Sequence, residues 1–543
     1  MPAFSSPSVL RALHRQSLLL GALTLLLFSV GEIHQTAIGF DSRFVMFAKE
    51  MLRHGPSFFP TTYGQPYADY NATTTLFIWL LSLPFGEVNS LSAWLPTAIA
   101  SATIVTLIYR LVAPQSTTWA LLSVVLLLMS VTFITETRAV SLDQMLAAVS
   151  LGVFYLAYAH DHFGAPRRHF WLLLLLVLGF AIRGPIGLVI PTGMLCSYWL
   201  LSGQCRRMIS VGLQALVLLV LCIGLLLLLA WMSGGQAFVQ DVIRMQVTGR
   251  IDGSEGASST FYYFTSSMGN YALAYPLAVL VLAVTLIAGR KPSSPALHLL
   301  KYCAAAGLIV MIGLSIPQAK KARYLLPMLP MAAIIAAYPF MGMQGRAFAG
   351  LRVIIQAIFL VMPVLLIAGL VVASKRFEQE LPPMSTIYML LGGLQVIALG
   401  LLFNPRLRAV GLGACAVVAM WSSTIVVLEP AERNAYNTRD FTVNALQLID
   451  QAPAPLVLHG MAKDAKAIKF MVNVDRDVLP VFTSSAVELT AIQAPAWIVM
   501  DRKDYQALQG TPLGNTAPAL SGRFDKNDYV LLHLTGSEGE GGL

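Results

Sequence analysis

Charge is scarce in this sequence. Of 543 residues only 12% are Asp, Glu, Lys or Arg, and 56% are hydrophobic. A soluble domain carries roughly 25% charged residues, so the scarcity excludes a chain that is soluble along most of its length. Cysteine is scarce too. Cys196, Cys205, Cys222, Cys303 and Cys415 all lie in apolar runs or beside short basic loops. None falls in a long polar segment, so no disulfide framework is indicated there. No spacing of His, Cys and Asp looks like a strong metal site, and His34, inside an apolar run, reads as a bonded core histidine. The formal net charge is +9. Its basic residues cluster in short loops, which points away from nucleic acid and toward a topology signal.

Long apolar runs fill the space that charge leaves. Stretches of about 18–22 apolar residues recur, each long enough to cross a ~30 Å hydrocarbon layer. Every backbone group must be paired within such a stretch, so these runs predict helices. About thirteen spans are expected, at 16–36, 91–110, 117–135, 140–159, 169–182, 185–201, 209–231, 270–289, 299–316, 325–342, 353–373, 385–403 and 409–428. The run Leu76–Phe85 is too short to cross alone and reads as interfacial or re-entrant.

Basic residues set the expected orientation. Arg11 and Arg15 precede the first span, and Arg110, Arg167, Arg168, Arg206, Arg207, Arg290, Lys291, Arg346, Arg352, Arg406 and Arg408 fall at alternate connections. Those connections and the N-terminus are expected in the cytoplasm, and an odd number of spans puts the C-terminus outside. The first span lacks a clear small-residue cleavage site and reads as an anchor. The outer side then holds loops at about 37–75 and 232–268, followed by a C-terminal segment at 429–543. That segment mixes charges with β-like runs at Pro455–Leu458, Trp497–Met500 and Tyr529–Leu532, with a helical stretch near Thr442–Asp450. It predicts a small extracytoplasmic α/β domain beside a membrane domain at 1–428. Its Gly-rich tail, Gly536 to Gly542, reads as disordered.

Charged residues of the outer side gather near helix ends. Asp41 and Arg43 follow the first span, Glu136, Arg138 and Asp143 join the third and fourth, and Arg183-Gly184-Pro185 joins the fifth and sixth. Lys320, Lys321 and Arg323 precede the tenth, against the topology trend, so a ligand explains them better. Bundled helices would bring these ends into one cavity at the membrane surface. Cations there hold phosphate, and a carboxylate can take a proton from an attacking hydroxyl. Structural roles compete: Asp41 and Asp143 are both candidate N-caps, Glu136 and Arg138 read as a local ion pair on a solvated turn, and Pro185 suits a helix start. In the second outer loop, 238–250 reads as an amphipathic helix followed by flexible glycines and the aromatics Phe261–Phe264, either an interfacial belt or a lid.

Together these features resemble the GT-C membrane glycosyltransferases, in particular the bacterial 4-amino-4-deoxy-L-arabinose lipid A transferases and the related protein O-mannosyltransferases. Asp41-Ser42-Arg43-Phe44 is similar to the family's acidic motif after the first span, and Glu50-Met51-Leu52 also fits it. Ser141-Leu142-Asp143 resembles the second aspartate, and Arg183-Gly184-Pro185 the Lys-Gly-Pro turn. Arg244, Gln246, Arg250 and Tyr262-Tyr263 resemble the loop motif, and Lys320-Lys321-Ala322-Arg323-Tyr324-Leu325-Leu326-Pro327 the basic run into Arg-Tyr-Leu-Leu-Pro. One motif departs. The usual Tyr-x-x-Lys-Pro-Pro reads Tyr67-Ala68-Asp69-Tyr70-Asn71-Ala72, without the lysine that holds donor phosphate in the family and with Asp69 as an added carboxylate.

The resemblance implies transfer of a sugar from a polyprenyl-phosphate donor to a lipid A, other glycan or protein acceptor at the periplasmic face of a bacterial inner membrane. Asp41 and Asp143 are the implied catalytic carboxylates. Arg183, Lys320, Lys321, Arg323, Arg244 and Arg250 would hold donor phosphate. Arg43, Tyr67, Asp69, Glu136, Arg138, Tyr262, Tyr263 and Tyr324 would line the substrate cavity. No cofactor is certain: some members need no divalent metal for the chemistry and others use one, so a divalent metal stays open. A transporter or flippase of a lipid-linked sugar is the rival reading, and a non-catalytic partner that docks through its C-terminal domain is a third.

Overall fold

The computed structural model describes residues 7–31, 35–253, 256, 258–265, 267–287, 294–342, 345–376 and 381–535. His34, Arg290, Lys291 and the tail Gly536 to Gly542 lie outside the described residues. The chain opens with α1 (Pro7–Ser29), α2 (Asp41–His54), a short hairpin of β1 (Thr61–Thr62) and β2 (Gln65–Pro66), and α3 (Thr73–Ser82). A helical run follows: α4 (Ser90–Val112), α5 (Thr117–Leu128), α6 (Val131–Thr137), α7 (Leu142–His162), α8 (His169–Arg183), α9 (Pro185–Leu201), α10 (Cys205–Ile243) and the single turn α11 (Gly249–Ile251). It continues through α12 (Ala274–Ile287), α13 (Pro295–Ser315), α14 (Leu329–Ala336), α15 (Arg346–Arg376), α16 (Ser385–Leu401), α17 (Arg408–Ser423) and α18 (Glu429–Ala435).

Each of the thirteen expected spans falls on a helix, but not all are long. Among the described residues seven helices are long and apolar enough to cross a membrane, and α5 with α6, bent by 71°, makes an eighth if counted as one span. Helices α8, α9, α12 and α16, and α14 taken with the turn before it (Ala322–Ala336), coincide with the other expected spans and belong to a shorter apolar class of 10–17 residues. The run Leu76–Phe85 is the short helix α3 and the turn after it. Many large apolar side chains of α10 and α15 face outward, as a lipid-facing surface requires, whereas α4 and α7 are mostly buried within the bundle.

Beyond α18, helix α19 (Arg439–Gln451) leads into a five-stranded sheet of order β4-β3-β5-β7-β6. Its strands are β3 (Leu456–His459), β4 (Val481–Thr483), β5 (Ala496–Asp501), β6 (Leu520–Phe524) and β7 (Asn527–Leu534). Short helices α20 (Lys466–Met471), α21 (Ala486–Thr490) and α22 (Arg502–Ala507) connect them. β3 runs parallel to β4 and β5, while β7 runs antiparallel to β5 and β6. Every residue of β3 and β5 is buried, as central strands covered on both faces should be.

This domain packs onto α2 through α20. Phe44, Phe47 and Met51 form the buried stripe of α2, at the three- and four-residue spacing of an amphipathic helix. Phe44 and Phe47 share a core with Phe470, Trp497 and Leu531. Polar ties add to it: Lys49 donates to the Val472 carbonyl at 2.8 Å, Arg53 pairs with Asp477 at 3.1 Å, and the Tyr63 hydroxyl donates to the Lys463 carbonyl at 3.0 Å.

Candidate active site

Three backbone features aim the charged groups. Ser141 caps α7, its hydroxyl accepting the Gln144 N–H at 3.3 Å, and this places Asp143 in the first turn. Arg183 ends α8, where Gly184 takes φ +64° and ψ −150°, a conformation essentially confined to glycine. Pro185 then starts α9. Helices α8 and α9 touch backbone to backbone: a Cβ on Gly179 would lie 2.2 Å from the Gly187 carbonyl oxygen, so neither position accepts a larger residue. The third feature is the segment Ala322–Met328, a 3₁₀ turn carrying Arg323 and Tyr324 toward α7.

Asp143 is the centre of the cluster. Arg183 Nε lies 3.1 Å from its Oδ1 and Arg323 Nε lies 3.1 Å from its Oδ2. Asp143 and Arg183 are almost wholly buried, with side chains 4% and 5% exposed. The Arg323 Nε–H is not aligned as a hydrogen bond, so that contact is an ion pair without one. Each guanidinium also lies over an aromatic ring: Arg183 over Tyr324 at 4.7 Å and Arg323 over Phe40 at 4.0 Å. No hydrogen bond to an Nη group of either arginine is formed among the described residues, so those donors remain available to an anion.

Asp41 is treated differently. It is not the cap of α2, since Phe40 holds that position and no side chain caps it. Its Oδ1 accepts the Val140 N–H at 3.0 Å and its Oδ2 accepts the Trp94 indole N–H at 3.2 Å. Among the described residues no cation pairs with it directly. Part of the residue reaches the surface, but protein closes around the carboxylate. Burial pushes its pKa up to about 7, against the pull of the Val140 and Trp94 N–H groups; nearby Glu136 adds to the rise and Arg323 opposes it. Val140 is three residues before Asp143, and Arg323 acts on both carboxylates, so the two aspartates share one site.

The flanking groups divide. Glu136 accepts the Ser141 hydroxyl and stays beside the cluster. Arg138 does not sit on a solvated turn. It is buried and turns away to Glu429, with Nη2 2.8 Å from Oε2, and to the Phe28 carbonyl. Gln35 donates to the same Glu429 at 3.1 Å. The Arg138–Glu429 pair therefore ties α1, α6 and α18 together.

The two loops meet around Asp69. Arg250 Nη2 lies 2.7 Å from its carboxylate, and Arg43 Nη1 lies 3.9 Å away. Gln246 donates to the Ala68 carbonyl at 3.0 Å, and Asn71 donates to the Phe180 carbonyl at 3.1 Å. Helix α10 breaks at Gly234 and Gly235, the latter at φ +67°, which separates its long apolar part from the part leading to Gln246 and Arg250. A narrow cleft lies between the loops and the α8–α9 turn, lined by Asp69, Tyr70, Arg183, Gly184, Gln246 and Arg250. Arg43 also donates to the Asp464 carbonyl at 2.7 Å and lies 5.5 Å from the centre of the Tyr67 ring.

Other expected residues sit further out. Arg244 is 68% exposed and pairs with Asp241, away from the cluster. Lys320 is half-buried, 3.4 Å from the Ser258 carbonyl, and Lys321 is exposed. Tyr263 is buried and donates to the Lys321 carbonyl at 3.3 Å, with Tyr262 edge-on to it. Tyr263 thus braces the backbone of the basic run. Sequence reasoning missed Phe40, Trp94, Asn71 and the linking role of Gln246. Among the described residues no group of three or more His, Cys, Asp or Glu side chains converges as a metal site.

The arrangement can hold an anion on guanidinium groups beside a carboxylate that shares its proton near neutral pH. Comparison with solved structures gives the fold a precedent. ArnT from Cupriavidus metallidurans in the apo state superposes with a TM-score of 0.70 at 16% identity, over 95% of this chain and 97% of that one. The fold is the ArnT fold. ArnT from the same organism bound to undecaprenyl phosphate gives a TM-score of 0.69 at 17% identity, with the same coverage. The family described as dolichyl-phosphate-mannose-protein mannosyltransferase matches residues 73–232, the stretch from α3 into α10 that supplies Asp143 and Arg183. No curated protein matches the chain.

Proposed function

We propose that this chain is a glycosyltransferase that moves a hexosyl or pentosyl group from a polyprenyl-phosphate donor to an envelope acceptor. The reaction would take place at the periplasmic face of a bacterial inner membrane. The N-terminus would be cytoplasmic, and residues 429–543 would form the periplasmic domain. Support comes from the ArnT fold, from a related structure that holds undecaprenyl phosphate, and from the mannosyltransferase family match. The observation that carries the proposal is Asp41, a carboxylate without an ion pair among the described residues, near Arg323, one of the two arginines held on Asp143.

In this reading the donor phosphodiester binds the unused N–H groups of Arg183 and Arg323, with Arg250 at the cleft edge and Lys320 and Lys321 nearby. An acceptor hydroxyl oxygen forms a bond to the anomeric carbon. The bond from that carbon to the phosphate oxygen breaks, and its electron pair leaves with the polyprenyl phosphate. The hydroxyl proton passes to Asp41. Asp143 positions the two arginines. Charges at helix ends, rather than mid-span, favour transfer over transport.

The test compares envelope glycolipids, glycans and proteins by mass spectrometry in cells with and without the chain. One sugar mass should disappear, and Asp41→Asn should abolish it at unchanged protein level. Wild-type turnover by Asp41→Asn would remove Asp41 from the mechanism.

A further inference from the structure

The helices that carry the cleft also build a second pocket at their opposite ends. Asp143 and Asp161 both lie on α7, eighteen residues apart. That separation is about 27 Å at 1.5 Å per residue, close to the thickness of a hydrocarbon layer. Likewise Arg183 and Pro185 lie at one end of α8 and α9, and His169 and Leu201 at the other. Around these far ends is a small pocket open to its surroundings. Its polar wall contains His160, Arg167, Arg168, Trp199 and Arg207.

The charges there are not balanced internally. Asp161 is fully engaged, accepting from Tyr198 at 2.8 Å, Gln204 at 2.9 Å and Arg207 at 2.7 Å. Arg167 and Arg168 are exposed, and neither guanidinium has a hydrogen-bond or ion-pair partner among the described residues. Trp199 is 5% exposed, and its indole N–H has no acceptor. Directly after the arginines, Phe170 and Trp171 are 69% and 56% exposed, as aromatic residues at a membrane–water boundary are. The remaining lining, including Leu156, Leu172 and Val211, is apolar. A general excess of positive charge in cytoplasmic loops accounts for arginines on this side. It does not account for a pocket between spans with an unpaired indole donor.

We propose that this pocket binds the phosphodiester headgroup of an anionic glycerophospholipid. The phosphate would sit on Arg167 and Arg168 and accept from the Trp199 N–H, while the acyl chains stay in the bilayer beside Phe170 and Trp171. Basic pockets between spans on the cytoplasmic side recognise lipid phosphate in this way.

The test uses the full chain, purified in neutral detergent and titrated with phosphatidylglycerol, phosphatidylcholine or inorganic phosphate. Lipid adducts are read by native mass spectrometry and unfolding by its midpoint temperature. Phosphatidylglycerol should bind in preference to the other two. The exposed double variant Arg167→Ala/Arg168→Ala and the variant Trp199→Phe should each weaken that binding about tenfold. Equal binding of phosphatidylcholine, equal protection by inorganic phosphate, or double-variant binding unchanged from wild type would overturn the assignment.

Discussion

The proton on Asp41 should show directly in the pH dependence of transfer. With a pKa of about 7, the carboxylate is ionised in about 9% of molecules at pH 6, half at pH 7 and about 91% at pH 8. If the ionised form takes the acceptor proton, kcat/KM for the donor should rise about tenfold between pH 6 and pH 8. The donor is a phosphodiester and does not titrate in this range, so the limb belongs to the protein. Stability follows the opposite sign. The folded state keeps a proton that the unfolded state, with a pKa near 3.8, has lost. This group therefore weakens the fold as pH rises from about 4 to about 7 and adds nothing further above that. The kinetic assay is release of polyprenyl phosphate by purified protein in lipid nanodiscs. Difference infrared spectra of wild type against Asp41→Asn report the carboxyl stretch independently of turnover. A flat profile from pH 6 to pH 8, with the carboxyl titrating near 4, would refute the reasoning.

Three further outcomes follow from the same geometry. Asp143→Ala leaves Arg183 and Arg323 without their buried counter-charge and should lower stability by about 3–5 kcal/mol; an unfolding midpoint equal to wild type would show that the pair does not support the fold. Gly184→Ala puts a side chain into a glycine conformation, with a Cβ 3.1 Å from the Gln246 Oε1, and should cost about 1–3 kcal/mol in the same measurement. A bound donor adds negative charge near Asp41, so the acid limb of kcat should lie at higher pH than that of kcat/KM; coincident limbs would place the phosphate elsewhere.

Much of the helix framework was legible because the membrane makes hydropathy nearly decisive. The central strands β3, β5 and β7 were legible for a similar reason, since each carries a short apolar run: Leu456–Leu458, Trp497–Met500 and Tyr529–Leu532. The edge strands β4 and β6 were not: Val481-Phe482-Thr483 and Leu520-Ser521-Gly522-Arg523-Phe524 alternate weakly and are partly exposed. The charged groups at helix ends stood out because ionic side chains are rare in such a chain. Their partners did not. Trp94 lies in the apolar run of α4, where an indole that binds a carboxylate reads like one that only packs. Arg138 shows the other limit, because its partner Glu429 is 291 residues away and no local pattern announces it.

The two aspartates illustrate how surroundings divide one residue type between tasks. Asp143 faces two guanidinium groups, and Asp41 faces only neutral N–H donors. Buried arginines need a counter-charge when no substrate is bound, and Asp143 supplies it without occupying their Nη groups. In the proposed reaction an arriving phosphodiester would meet cations already oriented, so little reorganisation would oppose binding or the charge that builds on the leaving phosphate. A second carboxylate paired in the same manner would be too weak a base to draw a proton from a hydroxyl. Keeping Asp41 away from direct ion pairs, yet within the influence of Arg323, would meet both requirements in the proposed reaction.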